Sequence, residues 1–122
     1  MKNLVLSLFL IFSFAVQGFG SDIELSIQKG DKCFKKIFND SSNKCSEDLG
    51  LSCIKGNDCS DCLAYIYMNL IFKFSDSNKD NEFLEVIGKI IEYKYDTCPN
   101  LMRDTERISD GIVNSIKRKN KR

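Results

Sequence analysis

"NDCSDCLAYIYMNLIFKF" (residues 57–74) decides the fold: two cysteines three residues apart open a nearly unbroken apolar run. Asn57 or Asp58 suits the cap of a helix that starts at about Cys59. Leu63, Ile66, Leu70 and Phe74 form one stripe of that helix. Tyr65, Tyr67, Met68, Ile71 and Phe72 fill most of the remaining circumference. A helix that is apolar all round is buried all round, so this segment is expected at the centre of the molecule.

Working outward, "SDSNKD" (residues 75–80) breaks the helix. A second, amphipathic helix is predicted over about 81–95. Its Phe83, Val86, Ile87, Ile90 and Ile91 face inward, and Glu82, Glu85, Lys89 and Glu92 face out. Cys98-Pro99 resets the chain, because proline is tolerated at a first helical position. A last helix over about 99–117 carries Leu101, Ile108, Ile112 and Ile116 on one face, with Met102 and Val113 beside it.

The N-terminal side is harder to read. "DIELSIQ" (22–28) alternates apolar and polar residues, as a short strand or an extended arm would. Asp31 is expected to cap a short helix with Cys33, Phe34, Ile37 and Phe38 on one face and Lys32, Lys35 and Lys36 on the other. "NDSSN" (39–43) reads as a loop. Between Cys45 and Cys59, Gly50 and Gly56 punctuate the chain, and at most one helical turn is expected there. The fold class is all-α: a small disulfide-stapled domain of three main helices plus a short N-terminal helix.

Three chemistries compete for Cys59 and Cys62. A redox pair needs an acidified, exposed thiol at a helix start. No strand precedes Cys59 to build a thioredoxin-like βαβ unit, and Asp58 and Asp61 would raise the thiol pKa. A structural zinc site needs four thiolate or histidine ligands, and the chain has no histidine. The third reading is that each cysteine bonds a distant partner. Two thiols three residues apart lie near one helical face, so they can clamp two separate segments onto one helix end. All six cysteines (Cys33, Cys45, Cys53, Cys59, Cys62, Cys98) are then expected in three bridges, with the fifteen pairings left open.

The start of the chain supports that oxidised reading. Lys2, the uncharged run "LVLSLFLIFSFAV" (4–16) and small residues at Gly18 and Gly20 match a secretory signal peptide over 1–20. The run is short for a membrane span, which takes about 20 apolar residues. The expected layout is signal peptide 1–20, disulfide-rich helical domain 21–116 and basic tail 117–122. Asn39-Asp40-Ser41 is an N-glycosylation acceptor that export would make usable at Asn39.

The formal charge is +1 overall but lopsided. Residues 21–116 carry twelve Lys/Arg against seventeen Asp/Glu, a net of −5. The end, with Lys117, Arg118, Lys119, Lys121 and Arg122, is wholly basic. It reads first as a frayed, soluble terminus and second as a contact for anionic lipid or glycosaminoglycan. Nucleic acid is not an expected partner.

Without histidine no Ser–His–Asp or Cys–His arrangement exists. The acid pairs Asp58/Asp61, Glu82/Glu85 and Asp104/Glu106 have the spacing that solvated helix faces produce. The sequence therefore points away from an enzyme, and no cofactor or metal is expected. It points toward a secreted protein that acts by binding an extracellular or cell-surface partner, as a signalling ligand, effector or defence factor does.

"CSDCLAYIYMNLIFKFSDSNKDNEFLEVIGKIIEYKYDTC" (59–98) resembles the first half of a saposin-type domain. Such domains open with a CxxC on an apolar helix, pass a polar turn, and continue into an amphipathic helix ending at another cysteine. Cys59, Cys62 and Cys98 occupy the matching positions. The resemblance implies lipid binding or membrane activity. It covers about 40 residues. The Cys62–Cys98 interval is longer than usual, no cysteine follows Cys98, and Cys33, Cys45 and Cys53 have no counterpart.

Overall fold

The computed structural model describes residues 22–40, 44–75 and 80–121. Five helices follow one another with no strand among the described residues: α1 over 22–40, α2 Lys44–Lys55, α3 Cys59–Ser75, α4 Asp80–Tyr93 and α5 Leu101–Asn120. The all-α expectation holds, but the helices number five rather than three and a short one. The expected signal peptide, residues 41–43 of the expected loop, residues 76–79 and Arg122 lie outside the described residues.

α3 is the axis. Every residue from 59 to 74 is buried or half-buried, and Cys62, Ala64, Ile66 and Met68 are wholly enclosed. Asp58 starts it: its carboxylate accepts the Ser60 N–H at 3.0 Å and the Ser60 hydroxyl at 2.6 Å, as a capping residue does. α4 and α5 form near their expected spans, because large apolar side chains repeat there at helical spacing. Ile87 and Ile90 of α4, and Leu101, Ile108 and Ile112 of α5, complete the core around Leu63, Ile66 and Leu70.

Two expectations fail on the N-terminal side. Residues 22–28 are neither strand nor arm but the first two turns of α1, and Asp31 lies inside that helix, paired with Lys35 at 3.1 Å. The helix points Ile23, Ser26, Ile27, Gly30, Cys33, Phe34 and Ile37 inward, a spacing of three and four, and leaves Phe38 exposed. Small Ser26 and Gly30 hold inward positions and let α1 approach α3 closely. The Ser26 hydroxyl is fully buried within reach of the Asp22 and Ser60 carbonyls, at 2.6 and 3.0 Å.

The cysteine-crowded segment, expected to hold one turn at most, is the twelve-residue α2. Gly50 does not end a helix there. It admits the Tyr65 ring, which a Cβ at that position would meet at 3.3 Å. α2 fully buries Cys53 alone, so little apolar periodicity marks it in the sequence.

α1, α2, α4 and α5 surround α3. Pairings along α1 (Ser26 with Ser60, Phe34 with Phe72 at 5.0 Å between rings) set it parallel to α3. α2 and α4 run back the other way, through Cys53 at Cys62 and Phe83 at Phe72. α5 sets out from Cys98, bridged to the start of α3, and follows it upward. Buried polar side chains are matched locally: Asn69 and Thr105 donate to the carbonyls of Tyr65 and Leu101, one turn back.

Candidate functional site

Three disulfides fix which faces of α3 are covered. Cys33–Cys45 ties α1 to α2, Cys53–Cys62 ties α2 to α3, and Cys59–Cys98 ties the start of α3 to the turn before α5. Cys59 and Cys62 thus bond different segments, and none of the six cysteines is free. Cys62 closes onto Cys53, which lies outside the stretch that resembles a saposin-type domain. Lys94, a residue only 6% exposed, donates from its ammonium to the Gly56 carbonyl at 2.7 Å and draws the end of α4 to the α2–α3 turn.

With α2 and α4 held on one side of α3, the opposite face opens between α1 and α5. A groove of about 780 Å³ lies there. Its floor is Tyr67, Ile71 and Phe74 of α3, all half-buried. Ile23 and Ile27 of α1 form one wall, and Ile108, Ile112 and Ile116 of α5 form the other. Burial lifts the Tyr67 phenol above its ordinary pKa, with Asp31 adding to the effect, so it stays neutral at physiological pH. A Cβ on Gly111, also at the groove, would meet nothing within 4 Å.

The charged residues lining the groove are both cations, Arg107 and Lys119. Among the described residues neither forms an ion pair, whereas nearby Arg103 sits 3.8 Å from Asp104. Ser75 and Ser115 border the same end of the groove as Lys119.

The basic end continues a helix. Lys117, Arg118 and Lys119 lie in the last turns of α5, which runs past the expected boundary at 116 to Asn120. All are exposed, as is Lys121. Asn39 is exposed in the last turn of α1, while Ser41 of its acceptor triplet lies outside the described residues. Sequence reading missed Arg107, the groove floor and Gly111. Their common signal is their position beside a helix α1 whose inward face carries small residues.

None of the acid pairs is buried: Asp61 and Asp104 are half-buried, and Asp58, Glu82, Glu85 and Glu106 are exposed. Asp58 is held below its ordinary pKa by the Ser60 hydroxyl and N–H, the opposite of what a proton donor at neutral pH needs. Among the described residues no helix is long and apolar enough to cross a membrane. No family model, curated protein or solved structure matches the chain.

Proposed function

We propose that the protein is secreted and acts outside the cell as a non-enzymatic binding protein, with the groove between α1 and α5 as its binding site. The observation that carries this reading is the groove itself: an open trough of about 780 Å³ with aliphatic walls and an aromatic floor. Ligand sites for small molecules are concave, mostly apolar and about 300–1,000 Å³ in volume. Export is supported by the N-terminal apolar run and by three bridges, which persist in oxidising compartments. A role without catalysis is supported by the missing histidine and the bonded cysteines. The apolar site also favours the lipid-binding alternative over a purely protein-directed effector.

Nile red, an uncharged dye that brightens in apolar surroundings, tests the site. Wild-type protein is expected to bind it one-to-one. Gly111→Phe, which places a ring into open space rather than core, is expected to abolish binding while leaving the helical circular dichroism and melting transition in place. Dye binding unchanged by Gly111→Phe would reject the groove as the site.

A second reading rests on the exposed Lys117, Arg118 and Lys121 at the end of α5. It proposes contact with glycosaminoglycan or another cell-surface polyanion. Retention on heparin that falls steeply with salt is expected, since exposed charges are screened over about 8 Å at physiological ionic strength. Passage through heparin without delay at low salt would reject it.

A further inference from the structure

Taking the groove as the binding site, we propose that its occupant is a single-chain amphiphile with an anionic head, held as a monomer, with the head at Lys119 and the chain running toward Ile23 and Ile27. The charge pattern sets the sign. The groove offers two cations and no acidic side chain among its described lining residues: Arg107 within a body that is net negative before residue 117, and Lys119 in the basic end that follows. Two lining cations with no acidic side chain beside them are matched by an anion.

Dimensions set the class. Ile108, Ile112 and Ile116 recur every four residues along one wall, so the apolar track follows the α5 axis. Arg107 and Lys119 are twelve residues apart on that helix. A rise of about 1.5 Å per residue separates them by about 18 Å. One lipid tail spans about half of a hydrocarbon core that is about 30 Å thick, so one long tail fits this track.

The direction follows from the two ends. At the Lys119 end, Ser75 and Ser115 make the rim polar, and Lys117, Arg118 and Lys121 of the same two turns add to the positive field. At the other end the walls are Ile23, Ile27 and Ile108, and Arg107 has Asp104 one turn before it on α5. The carboxylate or phosphate of the occupant is therefore assigned to Lys119.

The test displaces Nile red with hexadecanoate, hexadecan-1-ol and acetate, each kept below the concentration at which it aggregates. Hexadecanoate is expected to bind at least about tenfold tighter than the alcohol of equal length, as a charge-assisted contact requires. That advantage is expected to shrink with added salt and to disappear in Lys119→Gln. Acetate is expected not to compete. Equal affinity for acid and alcohol, with Nile red still bound, would overturn the anionic head and leave the groove standing. Loss of the advantage in Arg107→Gln but not in Lys119→Gln would overturn the orientation. Hexadecanoate that associates only with protein bound to phosphatidylcholine vesicles would overturn the monomeric ligand, and failure of Nile red itself to bind would remove the groove reading beneath all of these.

Discussion

Gly30 of α1 lies so close to Ala64 of α3 that a Cβ on Gly30 would stand 2.7 Å from the Ala64 carbonyl oxygen. That oxygen belongs to helix backbone and cannot swing aside, so α1 must lift if Gly30 gains a side chain. Two effects oppose each other in Gly30→Ala. Helix propensity favours alanine by about 0.8–1.0 kcal/mol, while overpacking a tight contact costs about 1–3 kcal/mol. The contact wins, and Gly30→Ala is expected to lower stability in urea unfolding. Gly88→Ala is the control. It sits exposed in α4, its added Cβ meets nothing within 4 Å, and the same change is expected to raise stability there. A stabilised Gly30→Ala would mean that α1 does not lie against α3 as described.

That contact also shows why half the fold was legible in the sequence and half was not. α3, α4 and α5 announce themselves because Leu, Ile and Phe fill their inward positions at helical spacing. α1 uses the same spacing, but two of its inward positions are Ser26 and Gly30, which an apolar pattern passes over. What remains visible, Ile23, Leu25 and Ile27, alternates like a strand, although Leu25 is half exposed and belongs to the outer face. α2 was hidden for a related reason: Gly50 reads as a break and serves as a seat for Tyr65. The groove needs α1 as a wall, so the residues that hide α1 in the sequence hide the groove as well. The cysteine pair was legible in kind, as two anchors on one helix end, because its chemistry depends on compartment and neighbours more than on packing.

Cys59–Cys98 closes a loop with a sequence separation of 39, against 12 for Cys33–Cys45. Each bridge joins one buried cysteine to one half-buried one, so loop length is the main difference between them. Chain entropy assigns about 4 kcal/mol to the longer loop and about 2.8 kcal/mol to the shorter. The paired replacement Cys59→Ser with Cys98→Ser is expected to lower the melting temperature more than Cys33→Ser with Cys45→Ser. Peptide mapping of the oxidised protein should link Cys59 to Cys98 and Cys62 to Cys53. A Cys59–Cys62 link would reverse the assignment and reopen a redox role for the pair.

Asp58 ties acid stability to the start of α3. Hydrogen bonds from Ser60 favour its ionised form, so its folded pKa lies below the ordinary aspartate value. The stability it contributes is therefore present above the unfolded pKa, about 3.9, and is lost as pH falls through the lower folded value. Asp58→Asn keeps a capping oxygen and loses the titration. It should be nearly neutral at pH 7 and flatten the acid limb of stability against pH below about 4. Asp58→Ala removes the cap and should cost about 0.5–2 kcal/mol at pH 7. An acid limb unchanged in Asp58→Asn would show that other carboxylates set it.

Lys94 holds a different junction. Its stem is enclosed where α4 ends, and its ammonium reaches the Gly56 carbonyl, thirty-eight residues away in sequence, between α2 and α3. Two contributions are separable there. Lys94→Met keeps a long apolar stem and removes the donor, leaving the Gly56 carbonyl without this partner at a cost of about 1–3 kcal/mol. Lys94→Ala removes the stem as well, so packing lost along α4 adds to that cost. Urea unfolding should rank wild type above Lys94→Met and Lys94→Met above Lys94→Ala. Backbone amide exchange should rise near Gly56 in both variants, since α4 no longer draws on that turn. Equal stability of Lys94→Met and wild type would mean that the ammonium contributes nothing there and that only the buried stem joins α4 to the α2–α3 turn.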